Sequence, residues 1–93
     1  MPTAMDDDFY NRADALIHLA NEQCQSIGRG KVSASSMYAI ARFNAWISAC
    51  GFENAADMQA ARQETIDYFV QQYTAMLEEN LDDYIENFQK YMK

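Results

Sequence analysis

The stretch Lys31–Cys50, KVSASSMYAIARFNAWISAC, contains neither Gly nor Pro. Stepped at about 100° per residue, it is apolar on more than one side. Ile40, Phe43, Ile47, Cys50, Trp46 and Ala39 share one arc, and Ala41, Ala45, Ala49 and Tyr38 lie roughly opposite. The large arc suits a core. The alanine arc allows a second helix to approach toward the short end of the usual ~8–10 Å packing distance. A helix apolar nearly all round belongs in an interior, so this stretch is expected to be central, with partners on both faces. Ser33 is a candidate N-cap, because its hydroxyl can accept a backbone N–H two or three residues on. Gly28 and Gly30 precede the stretch and Gly51 follows it.

The flanking segments read as helices too. Asp6, Asp7 and Asp8 favour a helix N-terminus electrostatically. Phe9, Ala13, Leu16, Ile17, Ala20, Cys24 and Ile27 then recur at helical spacing, giving an amphipathic helix over about 7–27. Beyond Gly51, Asn54 with Asp57 three residues on forms a capping-box-like start. Met58, Ala61, Ile66, Phe69, Tyr73, Leu77, Leu81, Tyr84, Phe88 and Tyr91 hold one face thereafter. As one rod this third helix would be about 55 Å long, twice the central one. Asn80 and Asp83 offer a second capping box, yet the apolar phase continues through Asn80. The expected fold is all-α: a small antiparallel three-helix bundle, with the third helix long or split near Asn80 into a fourth. With 93 residues the chain is expected to form one domain, 1–93, with residues 1–5 frayed.

The formal net charge of −7 repels a phosphate backbone, so no nucleic-acid partner is expected. Anionic membrane surfaces are disfavoured for the same reason, and no apolar run reaches the length of a span. MPTAMDDD lacks the basic start and apolar core of a signal peptide, which points to the cytoplasm. Cys24 and Cys50 lie near the ends of successive helices that an antiparallel hairpin sets roughly 20 Å or more apart. A disulfide needs Cα atoms within about 7 Å, so both are expected to be free thiols that pack as small hydrophobes.

Three segments, DDDFYNRAD, GKVSASSMYAIARFNAW and YF…Y…MLEENLDDYIENF, together resemble a family of short bacterial proteins, the domain-of-unknown-function family 3144. The resemblance covers about 6–91. It implies no activity, no cofactor and no catalytic residue.

The candidate chemistry is sparse. His18 shares a helix face with Asp14 and Glu22, but one solvated face supplies too few ligands for a closed metal site. Weak i,i+4 pairing is the preferred reading there. Arg42 stands in the most apolar helix with Tyr38 and Trp46 at i−4 and i+4. A buried guanidinium must be paired. Either Arg42 is structural, paired to Asp67 or Glu64, or it forms an anion site with Tyr38, Asn44 and Trp46. Glu78, Glu79, Asp82, Asp83 and Glu86 read first as a solvated acidic face. Leu81, Tyr84, Ile85, Phe88 and Tyr91 are too many apolar side chains for an isolated helix end, and they mark an expected interface. No phosphate loop, zinc spacing or hydrolytic triad is present, so no catalytic residue, metal or cofactor is assigned and an enzyme is the least favoured class. The leading expectation is a non-enzymatic protein-interaction module, with a second copy of the chain among its candidate partners. The alternative is a small-ligand or anion-binding protein using Arg42 and Trp46.

Overall fold

The central stretch is helical from Arg29 to Ala49 (α2), and Gly28, not Ser33, stands at its N-cap. The helix opens five residues early because Gly28 is already extended, at φ −58° and ψ 143°, and its carbonyl accepts the N–H groups of Lys31 and Val32 at 3.1 Å. Ser33 therefore lies inside the helix. At the other end, the Cys50 N–H donates to the Trp46 carbonyl and the Gly51 N–H to the Ser48 carbonyl, both at 3.1 Å. The last turn tightens in this way without a left-handed residue.

The computed structural model describes residues Asp6–Met92; the expected fraying of residues 1–5 lies outside them. Every regular element among the described residues is a helix, so the fold is all-α. The first helix, α1, spans Phe9–Gln23. Its lead-in is fixed by Asp6, whose carbonyl accepts the Phe9 N–H at 3.1 Å and whose carboxylate pairs with the Arg12 guanidinium at 3.1 Å. After α2 come α3 (Ala55–Ala60), α4 (Arg62–Glu86) and α5 (Phe88–Met92). The capping-box-like start at α3 forms as expected. The Asp57 N–H donates to Asn54 Oδ1 at 2.9 Å, and Asn54 Nδ2 donates to the Asp57 carboxylate at 3.2 Å.

The third helical segment stays continuous through Asn80. The side chain of Asn80 does not cap a new helix; its amide donates back to the Met76 carbonyl at 2.8 Å within α4. The breaks fall at Ala61 and Asn87 instead. At Asn87 the side-chain amide donates to both the carbonyl and the carboxylate of Asp83, at 3.3 and 2.9 Å. An Asn that bonds locally in this manner competes with the helical ladder and favours a turn.

The chain divides between Met58 and Gln59 into two compact units. In the first, α1 and α2 pack on one another across the short connection 24–28. Phe9, Ala13 and Ala20 of α1 and Cys24 at its C-cap are half-buried, as are Ser36, Asn44 and Ser48 of α2. Val32, at 3% exposure, is the only buried residue among those described. Within this unit the main contact of α2 is with α1, which covers one of the two faces that the sequence reading expects to be partnered. In the second unit, α4 and α5 contact one another at the Asn87 corner.

Candidate functional site

Two exposed helix faces carry the residues singled out in the sequence. On α2, the side turned away from the half-buried Ser36, Asn44 and Ser48 bears Lys31, Tyr38, Arg42, Ala45, Trp46 and Ala49. These lie within about 120° of arc at 100° per residue. Tyr38 is 69% and Trp46 61% exposed, and neither is covered by α1. Arg42 is also exposed and has no ion pair within its unit. Its guanidinium is therefore not desolvated there and needs no buried partner. Tyr38, Arg42 and Trp46 follow one another at i, i+4 and i+8 and share this face. Asn44 does not join them. It is half-buried and lies about 160° round the helix from Arg42.

The second face belongs to α4 and α5. Ile85 is 72% exposed, and Leu81, Tyr84, Phe88 and Tyr91 are exposed as well. Of these, the structure brings Tyr84 and Tyr91 together, their rings tilted at 48° with centroids 4.6 Å apart. The Tyr91 hydroxyl donates to Asp83 Oδ2 at 2.8 Å. That hydrogen bond, and then the negative charge of Asp83, push the Tyr91 phenol above its ordinary value of 10.0. Asp83 thus accepts from Asn87 and Tyr91 at once and fixes the corner between α4 and α5. Sequence reasoning placed Asp83 in an acidic run and at the box position of a cap at Asn80, not at this corner. Its i+4 and i+8 spacing to Asn87 and Tyr91 was the available signal. The exposed face also extends toward the N-terminus of α4 through Val70 and Leu77.

The remaining candidates stay apart from these faces. His18 Nε2 approaches Glu22 at 3.4 Å on the exposed side of α1. Among the described residues no group of three or more His, Cys, Asp or Glu side chains is placed to hold a metal ion. Cys24 and Cys50 are free thiols, as expected; Cys24 is half-buried, but Cys50 is exposed and does not pack as a buried hydrophobe. No helix among the described residues is long and apolar enough to cross a membrane.

Comparison with known proteins adds family but not activity. The profile of the family described as "Protein of unknown function (DUF3144)" matches residues 9–85. No curated protein sequence matches the chain. The NMR structure of the protein NB7890A from Shewanella sp is similar to it at 48% sequence identity, over 97% of this chain and 96% of that one, with a TM-score of 0.78.

Proposed function

We propose that this chain, which belongs to the DUF3144 family of proteins of unknown function, is a small non-enzymatic interaction module of the cytoplasm that binds protein through its exposed helix faces and self-associates. The observation that supports this most is the exposure of Tyr38, Phe43 and Trp46 on α2 and of Val70, Leu77, Leu81 and Ile85 on α4. The helices within each unit leave these side chains open to water. Apolar patches of this extent mark interaction sites on soluble proteins. Tyr and Trp among them are the residue types enriched in interface cores.

Photo-crosslinking in the native cell tests the proposal. A benzophenone amino acid placed at Trp46 or Leu81 should yield discrete protein adducts, and one at Asp14 on the polar side of α1 should not. If neither face yields a protein adduct, the interaction reading is wrong.

Exposed Arg42, flanked by Tyr38 and Trp46 on one face and without an ion pair in its unit, favours a second reading, an anion site. A guanidinium beside aromatic rings can take a carboxylate or phosphate while the rings cover the ligand's apolar part. A dose-dependent thermal shift with small anions, present in the wild type and absent in Arg42→Met, would support it. Equal behaviour of the two proteins would exclude it.

A further inference from the structure

We infer that the Asn87 corner is a latch with two states. It is closed when Asp83 holds Asn87 and Tyr91, and open when α4 runs on through α5 as one helix. Every residue involved lies on α4 or α5, within one compact unit. The latch therefore needs no contact from the other unit and no protein partner.

Side chains impose the closed state. From Arg62 to Met92 the sequence contains neither Gly nor Pro, so backbone chemistry does not demand a break. The helical ladder is interrupted only locally. The Asn87 N–H still donates to the Asp83 carbonyl at 2.9 Å, and the Tyr91 N–H to the Asn87 carbonyl at 3.1 Å. Between them, the N–H groups of Phe88, Gln89 and Lys90 find no backbone acceptor among the described residues. Two bonds to the Asp83 carboxylate offset that loss, from Asn87 Nδ2 at 2.9 Å and from the Tyr91 hydroxyl at 2.8 Å. The Tyr84 and Tyr91 rings add a contact, with centroids 4.6 Å apart. Unbroken helix would set these two residues about 10.5 Å apart along its axis. Helical side chains all lean toward the N-terminus, so their rings would keep that separation. The ring contact therefore belongs to the closed state.

The open state has support of its own. In a continuous helix the Phe88, Gln89 and Lys90 N–H groups gain the carbonyls of Tyr84, Ile85 and Glu86. Glu86 and Lys90 then stand at i and i+4 with the acid first, the favourable order for an ion pair, which the closed state does not form. Leu77, Leu81, Tyr84, Phe88 and Tyr91 fall at i, i+4, i+7, i+11 and i+14, one stripe of an unbroken helix. Opening thus brings Phe88 and Tyr91 into line with the α4 residues and uncovers the Tyr84 ring. The closed corner keeps the stripe short by folding its last aromatic back on the chain.

Amide hydrogen exchange and Cα chemical shifts, read by NMR on the full chain, test the latch. Asp83→Ala and Asn87→Ala each remove the catch. Asp82→Ala is the control, because it deletes the neighbouring exposed carboxylate and leaves the corner untouched. In both catch variants residue 87 should take a helical Cα shift. Exchange at Phe88, Gln89 and Lys90 should slow at least about three-fold as these amides gain acceptors. Asp82→Ala should match the wild type. Tyr91→Phe leaves the Asn87 bond to Asp83 in place, so it should loosen α5 without straightening it. Faster exchange through α5 in either catch variant, with a coil-like shift at residue 87, would show that α5 frays on release and would overturn the latch. So would unchanged exchange, or equal slowing in Asp82→Ala.

Discussion

The Tyr91 hydroxyl donates to Asp83 Oδ2 at 2.8 Å, eight residues back across the Asn87 turn. This bond, with the Tyr84 ring 4.6 Å away, holds α5 against the end of α4. Its pH dependence follows from the sign of the shift. The folded phenol titrates above its ordinary value, so the contribution is fully present below pH 10 and is lost as the pH rises through the raised value. Ultraviolet titration should show one tyrosine ionising later than the rest, and Asp83→Ala should remove that late step. Tyr91→Phe should speed amide hydrogen exchange over Phe88–Met92 and leave exchange in α1 unchanged. Unaltered exchange in α5 would mean that the corner is held otherwise.

Asn54 is the capping residue with reciprocal bonds, to the Asp57 N–H at 2.9 Å and from its own amide to the Asp57 carboxylate at 3.2 Å. Asn54→Ala should cost about 1 kcal/mol and Asn54→Gly only a few tenths, as is usual for N-caps. Chemical denaturation of the two variants distinguishes a cap from a merely exposed side chain, for which both losses would vanish.

The cysteines should both react with a thiol reagent without denaturant, Cys50 faster than the half-buried Cys24. A mass spectrum showing a Cys24–Cys50 bridge would be incompatible with the α1–α2 hairpin.

Trp46 reports on the α2 face. A Trp in a closed core would cost about 3–5 kcal/mol on truncation to Ala. At 61% exposure its removal should cost under about 1 kcal/mol where the chain is dilute, and should weaken association instead. Its fluorescence should shift to shorter wavelength as concentration rises. A blue emission maximum independent of dilution would place Trp46 in a core formed by one chain.

Much of this was readable from residues. The unbroken apolar run of α2, the stripe of α1 and the Asn54–Asp57 box all specify helix by local chemistry, and all three appear. The absent disulfide followed from hairpin geometry alone. The helix boundaries were less legible. Ser33 and Gly28 both suit an N-cap, and backbone conformation decided between them. Asn80 and Asn87 are the same residue type. One bonds back into the ladder and the other reaches a carboxylate one turn behind it, a difference that depends on Asp83. The break at Ala61 has no Gly or Pro to announce it; the Thr65 hydroxyl donates to the Ala61 carbonyl at 2.9 Å. The α2 face is legible only in part. Periodicity shows that a face is apolar, but it cannot say whether the covering surface comes from the same chain.

The central claim is that a second copy covers these faces, and sedimentation equilibrium of the unmodified full chain over a concentration series tests it most directly. The account predicts a mass rising to twice 10.7 kDa within the micromolar range. A mass that stays at 10.7 kDa into the high micromolar range would contradict it.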